Sequence, residues 1–287
     1  MPPFIVALLC LMVVDGVVAA PAEVRLLQAP AWREHAGQRS ALQPGEALAA
    51  GDRIVTGRGA RVVLVLSEGS TVKLGENAEL SLAELIEPPH ESGVFKGFLD
   101  VARGAFRFTT SVLGRQREIR ARVGTATIGI RGTDVWGKHE DSRDFVVLLE
   151  GQIEIERDGV SVVMSEPLSL FMAPAGQAAL PLAPVDQEDL GRWAQETEPQ
   201  AGAGQRDSEG RYRLMLPLAR EQVQADALVA HLAAAGYGAS LDELTIGDEH
   251  AWRVSVPGYS NEVEAQAGAS AVAALLAGLR VWVSHAP

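Results

Sequence analysis

The strongest constraint on this chain is a long stretch in which apolar residues recur at every second position. From residue 23 to residue 173, short alternating runs are separated by turns that contain glycine. Residues 62–66 and 71–74 flank Glu68-Gly69-Ser70 and predict a hairpin, and Asp158-Gly159 predicts a type I′ turn. Because successive side chains of a strand point to opposite faces, this spacing favours half-buried sheets. We therefore predict an all-β sandwich or jelly-roll-like domain without a long helix.

Glycine also marks where further strands of this domain should begin or end. Gly151 separates an apolar run at residues 145–149 from an alternating run at residues 152–156, which predicts a turn. Another strand is predicted at residues 104–108. Residues 131–133, an arginine, a glycine and a threonine, are interpreted as a tight turn whose arginine ties neighbouring loops together.

From residue 211 to residue 287 the pattern changes to strand, helix, strand, strand, helix, strand. Gly236 stands where the first helix should end, and Asn261 with Glu264 forms a candidate N-cap pair for the second. The predicted apolar faces are Ala225, Leu228, Val229, Leu232 and Ala235 in the first helix, and Val263, Ala267, Ala271 and Leu275 in the second. This order is that of an α+β ferredoxin-like (βαββαβ) domain, with two helices on one face of an antiparallel sheet.

The ferredoxin-like arrangement predicts an exposed sheet face opposite the helices. If Leu214, Val254 and Val281 face the helices, the residues between them must face away. These residues are Arg213, Met215, Arg253, Ser255 and Trp282. Guanidinium groups donate hydrogen bonds to hydroxyl and carboxylate oxygens, and an indole offers an apolar ring for stacking on a sugar. The face is predicted to bind an extended polar polymer. The alternative is a face buried by the preceding segment or by dimerisation.

Between the two domains, residues 174–210 have the composition of a linker. This segment contains four prolines, and from residue 183 to its end seven acidic residues stand against two arginines. Such a sequence buries little apolar surface and is expected to be extended and solvated. One short helix is predicted at residues 186–194, docking through Leu190 and Trp193.

The first 22 residues have the pattern of an export signal. The apolar run at residues 4–14 is too short to span a bilayer as a helix, which needs about 20 residues. Ala20-Pro21-Ala22 is a candidate cleavage site, with residues 18–20 as the alternative. Cleavage removes Cys10, the one cysteine. We predict a periplasmic or secreted protein with no membrane span after signal cleavage; a retained anchor is the alternative.

The charge and motif content exclude several classes of function. The net charge of −12 disfavours nucleic acid as a partner, since a phosphate backbone would be repelled. Nucleophile, zinc-protease and phosphate-loop motifs are absent from the sequence, and the six histidines are scattered. We expect no catalytic residues, no metal site and no cofactor.

Three separated motifs in the first domain resemble the FecR-type domain. They are residues 51–57 (GDRIVTG), residues 68–74 (EGSTVKL), and residues 128–135 (IGIRGTDV) followed by 150–153 (EGQI), so that the resemblance covers about residues 45–156. Its motif residues here are Gly129, Arg131, Gly132 and Thr133. The resemblance implies a β-rich extracytoplasmic module for signalling or envelope interaction, without catalytic chemistry. The founding members are membrane-spanning sigma-factor regulators with a cytoplasmic N-terminal segment.

The last part of the chain is similar to the SPOR domain, a bacterial peptidoglycan-binding module. Four segments carry the similarity: residues 212–216 (YRLML), 232–237 (LAAAGY), 252–259 (WRVSVPGY) and 281–283 (VWV). The resemblance implies that the exposed sheet face binds glycan strands stripped of their peptide stems. The family usually has glutamine at the position of Met215 and glycine near Pro217. The missing amide predicts weaker or redirected glycan binding.

Together these observations predict a non-enzymatic protein of the bacterial cell envelope. Its FecR-like module would bind an envelope protein or a small ligand, and its SPOR-like domain would tether that module to the glycan strands of peptidoglycan. The alternative is an extracytoplasmic sensor or regulator of signalling whose C-terminal domain dimerises instead of binding glycan.

Overall fold

The computed structural model describes residues 20–86, 93–110 and 116–285, which form a β-rich unit, a connecting segment and an α+β unit. The strands of the β-rich unit are β1 (Ala22–Gln28), β2 (Ala31–His35), β3 (Gln38–Ala41), β4 (Ala47–Leu48), β5 (Arg53–Thr56), β6 (Arg61–Leu66), β7 (Thr71–Leu74), β8 (Glu79–Ile86), β9 (Phe95–Thr109), β10 (Arg117–Val123), β11 (Ala126–Glu140), β12 (Arg143–Arg157), β13 (Val160–Met164), β14 (Ser169–Pro174) and β15 (Ala183–Pro184). The later elements are α1 (Gln187–Thr197), β16 (Gln205–Asp207), β17 (Tyr212–Met215), α2 (Gln222–Ala234), β18 (Ser240–Ile246), β19 (Glu249–Tyr259), α3 (Glu262–Leu275) and β20 (Trp282–His285).

Two sheets enclose one apolar core in the β-rich unit. Sheet one has the order β16, β1, β6, β7, β9, β11, β12, β14 and β15. Sheet two has the order β3, β2, β5, β8, β9, β10, β11, β12 and β13. Buried side chains from both fill the space between them, among them Val72, Phe108 and Val146 of sheet one and Leu80, Ile128 and Ile155 of sheet two. The alternating sequence pattern therefore becomes the inner face of each sheet.

The three longest strands, β9, β11 and β12, contribute one half to each sheet. A glycine with positive φ lies near the middle of each: Gly104 at 82°, Gly132 at 68° and Gly151 at 87°. A Cβ atom on Gly151 would overlap the carbonyl oxygen of Gly132. The predicted turns at Gly151 and at residues 131–133 are wrong. Both sites are irregularities inside continuous strands, because a left-handed residue bends a strand without ending its pairing.

Two other local predictions in this unit are confirmed. β6 and β7 form the expected antiparallel hairpin. Asp158 and Gly159 both have positive φ, 52° and 76°, and join β12 to β13. Positive φ at both central positions is what a type I′ turn requires, and aspartate followed by glycine accepts it at low cost.

The α+β unit is built on four antiparallel strands in the order β18, β19, β17 and β20. Both helices cover one face of this sheet, and the side chains that pack there include Leu214, Leu216, Val254 and Val256 from the strands and Leu232 and Val272 from the helices. The predicted helix signals are confirmed: Gly236 has a φ of 79° just beyond α2, and the Asn261 side chain accepts a hydrogen bond from the Glu264 backbone N–H.

The face that α3 presents to the sheet differs from the predicted one. Val263 is 68% exposed, whereas Glu264, Ala265, Gly268 and Val272 are buried. Gly268 lies directly against the Tyr259 ring, so the helix axis comes close to the sheet along a row of small residues. The sequence pattern favoured the larger valine as the buried position, but close approach of the backbone decided the orientation.

The connecting segment is not the extended, solvated linker that its composition predicted. α1 packs on the outer face of sheet one, the face turned away from the core, where Trp136 and Val147 are buried. Trp193 stacks on Trp136 with a centroid distance of 5.4 Å and an interplanar angle of 12°. The predicted short helix and its docking through Trp193 are confirmed, and the helix buries apolar surface that would otherwise face water.

Two acidic residues of the connecting segment, Glu196 and Glu198, are paired with cations of sheet one. Glu198 accepts hydrogen bonds from Lys73 Nζ, at 2.6 Å, and from Arg107 Nη1, at 3.0 Å. Glu196 lies 3.0 Å from Lys138 Nζ. These two acids, which the sequence pattern assigned to a solvated segment, therefore form the rim of an intramolecular contact.

The second half of the segment joins the two units. β16 pairs with β1 along three residues and touches β19 at Tyr259. The buried Glu264 carboxylate accepts N–H groups of Gly202, Gly204 and Gln205, at 2.6, 2.8 and 2.9 Å. These three hydrogen bonds satisfy a carboxylate that the helix pattern alone would have left in the interior unpaired.

Arg206 of β16 is completely buried at the junction. Its guanidinium donates to the Pro257 carbonyl at 2.8 Å and to Gln43 Oε1 at 3.0 Å, thereby linking both units. Burial lowers the pKa of this guanidinium. Nearby, Trp32 Nε1 of β2 donates to the Ala233 carbonyl of α2 at 3.1 Å. The two units therefore share a polar, buried contact surface.

Of the predicted export segment, residues 1–19 lie outside the described residues. Ala22 is the first residue of β1, is buried, and pairs with Leu48 and Leu66. Among the residues that the structure describes, no helix combines the length and apolar character needed to cross a bilayer.

Candidate functional site: the open face of the α+β sheet

The sheet face opposite α2 and α3, which we call the open face, collects the predicted binding residues. Met215 of β17 pairs with Ser255 of β19 on one side and with Trp282 of β20 on the other, so all three point the same way. Arg253 lies two residues before Ser255, and Arg213 two residues before Met215. The strand alternation that buries Leu214, Val254 and Val256 under the helices therefore turns these polar and sulfur-containing side chains outward.

Arg253 of β19 and Trp282 of the edge strand β20 approach each other across β17 on the open face. The guanidinium carbon of Arg253 is 5.9 Å from the centroid of the Trp282 ring, within the range of a cation–π contact. Trp282 is 37% exposed, and Met215 is half-buried between the strands. The Nε atoms of Arg213 and Arg253 are buried without a hydrogen-bond partner among the described residues. The face thus presents one accessible indole beside guanidinium groups.

Ser255 differs from the other predicted contact residues. It is only 1% exposed. Its hydroxyl lies on the predicted face but is too deeply buried to meet a large ligand. The prediction placed this residue correctly by alternation but could not give its depth.

The sequence reasoning missed two further residues of the open face. Ser240 pairs with Ser255, and Asp242 pairs with Arg253, so β18 adds a hydroxyl and a carboxylate to the face. Both side chains are exposed. The same alternation that placed β19 would have found them, since Leu241 between them packs toward the helices. The face therefore carries hydrogen-bond acceptors as well as donors.

The side chains of the open face offer both hydrogen-bond donors and an aromatic surface. Within the described residues, no group of three or more His, Cys, Asp or Glu side chains is placed to hold a metal ion. An indole surface, guanidinium donors and a carboxylate acceptor in one shallow row match a chain of hydroxyl-bearing rings.

The motif residues of the first domain lie in the sandwich rather than on a comparable surface. Gly129, Arg131, Gly132 and Thr133 all belong to β11. Thr133 is buried, its N–H donates to Thr110 Oγ1, and its carbonyl accepts from the Thr110 N–H, both at 2.9 Å. Arg131 and Gly132 are exposed at the bend of the strand. These residues form the bend at which β11 leaves one sheet and enters the other.

The acidic motif residues of the first domain have structural partners as well. Asp52 is fully buried and accepts hydrogen bonds from Arg33 Nε at 2.9 Å and from the Ala49 N–H at 2.8 Å. Glu68, also buried, lies 2.9 Å from Arg117 Nη1. These ion pairs fasten loops to the sandwich and satisfy two buried carboxylates.

Comparisons with known proteins find two protein families, one matching each unit of the structure. By its fold, the chain is a two-domain protein in which a β-rich unit precedes an α+β unit. The FecR protein family model matches residues 52–154, and the SPOR domain model matches residues 208–284. The two matches confirm both resemblances and their order. SPOR domains are found in envelope proteins that reach peptidoglycan.

Similar solved structures add little to this assignment. Two crystal structures of a protein from Parabacteroides distasonis, described as a candidate anti-sigma factor, cover 82% of this chain and 99% of theirs. Their sequence identities are 13% and 12%, and their TM-scores are 0.42 and 0.41. These values are too low to assign a topology or a function here. No curated protein matches the sequence.

Proposed function

We propose that this protein is a non-enzymatic component of the bacterial cell envelope that binds the glycan strands of peptidoglycan through the open face. The observation that carries the proposal is the joint placement of Trp282, Arg253 and Arg213 on a helix-free sheet face of a SPOR domain. The indole would stack on a sugar ring while the guanidinium groups donate to hydroxyl and carboxylate oxygens. Asp242 would accept hydrogen bonds from sugar hydroxyl or amide groups.

In this proposal the FecR region is a protein-interaction or ligand-binding module that the SPOR domain holds at the cell wall. The buried junction around Arg206 supports a fixed orientation between the two units. The two-sheet core supports a sandwich as the fold of the first unit, and the strand order β18, β19, β17, β20 supports the ferredoxin-like topology of the second.

Export to the periplasm or beyond is part of the same proposal. Cleavage after Ala22 would remove the first residue of β1, which is buried between Leu48 and Leu66. Cleavage after Ala20 keeps that strand intact, so the alternative site at residues 18–20 is the one that the fold supports. N-terminal sequencing of the exported protein should therefore begin at Pro21.

Sedimentation with purified sacculi tests the glycan proposal. The full chain should co-sediment, and more protein should bind after an amidase has removed the peptide stems. The double variant Arg253→Ala with Trp282→Ala should lose affinity about tenfold or more, since it removes the exposed indole and the guanidinium group beside it. Arg192→Ala, an exposed arginine on α1, is the matched control and should bind as the parent does.

The regulator alternative makes a different prediction for the same double variant. If the open face instead joins two copies of the chain, the variant should lose a dimer that sedimentation velocity detects in the parent, and sacculi should bind neither protein. Met215→Gln separates the two further. Restoring the amide usual in SPOR domains should strengthen glycan binding and should not strengthen a dimer contact built on apolar side chains.

A further inference from the structure

The sandwich is open along one edge, between β13 of sheet two and the segment before β15 in sheet one. Among the described residues β13 pairs only with β12, so its other edge carries free backbone groups. Its inward-facing residues become steadily more exposed: Met164 is 1% exposed, Val162 is half-buried, and Val160 is 63% exposed. The two sheets therefore separate toward the turn at residues 158–159.

The opposite wall of this opening is apolar too. Leu180 and Leu182 are 48% and 41% exposed, and the buried Phe171 ring forms the floor. The Leu180 N–H donates to the Met172 carbonyl at 2.9 Å, which fixes this wall alongside β14. Together the walls enclose a cavity of about 450 Å³. An apolar cavity beside a free strand edge is suited to an extended chain that adds to the edge and inserts alternate side chains.

The charges around this opening are acidic. Glu154, Glu156, Asp158 and Glu166 are all exposed around β13. Arg157, the one basic residue between residues 154 and 168, is buried and donates to Thr125 Oγ1 and to the carbonyls of Gln177 and Pro174. A second copy of this chain would bring the same acids opposite one another, and like charges across paired strands are unfavourable. Charge complementarity selects a basic partner instead.

We infer that the β13 edge binds an extended, basic segment of a partner protein, with apolar side chains at alternate positions. The segment would extend sheet two beyond β13. Its apolar side chains would enter the cavity beside Val160 and Leu182, and its lysines or arginines would lie on the outer face, on the side of Glu154 and Glu156. The inference rests on the proposed interaction role of the FecR region and names the chemistry of its partner. It involves no residue of the open face.

Titration calorimetry on the full chain with a synthetic peptide tests the inference. The probe is a capped heptapeptide of alternating lysine and valine, KVKVKVK, and its controls are EVEVEVE and the block arrangement KKKKVVV. The alternating basic peptide should bind about tenfold tighter than either control, and added salt should weaken it. Hydrogen exchange should show new protection at residues 161–163.

Variants localise the binding. Val160→Lys should weaken binding of the basic peptide about tenfold, and Val223→Lys, at a valine 76% exposed on α2, should leave it unchanged. Leu182→Lys, on the opposite wall, should also weaken binding about tenfold. It replaces Val160→Lys in this test if Val160→Lys folds poorly.

Equal binding of the basic and acidic peptides, binding that Val160→Lys does not alter, or no binding at millimolar peptide would each overturn the inference. A dimer of the parent that Val160→Lys abolishes would assign the edge to a second copy and overturn it as well. Because sacculi are not used, this test can fail while the glycan proposal succeeds, and the reverse is also possible.

Discussion

The outer face of sheet one and the open face of the α+β sheet carry nearly the same residue types but differ in what covers them. The first presents Trp136 beside Lys73 and Arg107, and the second presents Trp282 beside Arg213 and Arg253. On sheet one, α1 stacks Trp193 on the indole and Glu198 pairs with the cations. On the α+β sheet, the described residues leave the indole 37% exposed.

This difference shows that an aromatic and basic sheet face is not by itself a binding site. On the outer face of sheet one, the chain itself provides the covering groups: the Trp193 ring and the neighbouring carboxylates of Glu196 and Glu198. The open face lacks such a cover within the described residues, and our proposal assigns to an external polymer the contacts that α1 makes internally on sheet one. Three predictions test this difference between the covered face of sheet one and the open face of the α+β sheet.

The largest effect is expected from removing the ring that covers sheet one. Trp193→Ala should lower the free energy of unfolding by about 2–3 kcal/mol, because it exposes Trp136 and leaves a void beside Phe145. Trp282→Ala, on the open face, should cost less than about 1 kcal/mol. Urea unfolding followed by circular dichroism measures both. Equal losses would mean that the two faces are covered to the same degree.

The helices that cover the two sheets should respond oppositely to the same substitution. A Cβ on Gly268 of α3 would overlap the Tyr259 ring, so Gly268→Ala should destabilise the protein by about 1–3 kcal/mol. A Cβ on Gly191 of α1 meets nothing within 4 Å, so Gly191→Ala should stabilise it by up to about 1 kcal/mol. Thermal unfolding of both variants distinguishes these signs, and destabilisation by Gly191→Ala would show that α1 lies closer to sheet one than described.

The smallest effect concerns the acidic rim of sheet one. A hydrogen bond from Lys138 lowers the pKa of Glu140 below its ordinary value of 4.5. Because the folded pKa is the lower one, the contribution to stability is complete above the unfolded pKa and is lost as pH falls through the folded pKa. Glu140→Gln should lower Tm by about 1–3 °C near neutral pH, with the difference shrinking below about pH 4. A Tm of Glu140→Gln equal to that of the parent at every pH would contradict the contribution of this pair.

Local sequence patterns predicted most of the secondary structure. The hairpin of β6 and β7, the turn at Asp158-Gly159, the cap at Asn261 and the end of α2 at Gly236 depend on neighbouring residues alone. The helix through Trp193 was predicted for the same reason. These features are set by backbone preferences and periodicity, which act over a few residues.

The errors share a different cause. The sequence predicted turns at Gly151 and Gly132 because glycine often marks the end of a strand. In the structure, β11 and β12 pair with each other both before and after these glycines. Val263 was predicted to be buried because its side chain is large and apolar. The orientation of α3 instead follows the close approach of Gly268 to the Tyr259 ring. Each error came from a contact outside the element in question, between Tyr259 and Gly268 or between neighbouring strands, which a period of two or of 3.6 residues does not report.

The candidate site divides along the same line. Alternation placed Arg213, Met215, Arg253 and Trp282 on one face, and the strand register agrees. It gave neither the burial of Ser255 nor the contribution of Asp242 from β18.

The sequence by itself determined the two families, their order, and which side chains share a sheet face, because these depend on motifs and on a period of two. The tertiary structure alone decided which face remains available. Acids that look solvated in the sequence become partners of Lys73, Arg107 and Lys138 only when α1 folds back onto sheet one. The physical reason is that covering a face depends on contacts between residues about 60 to 125 positions apart, which no local pattern records.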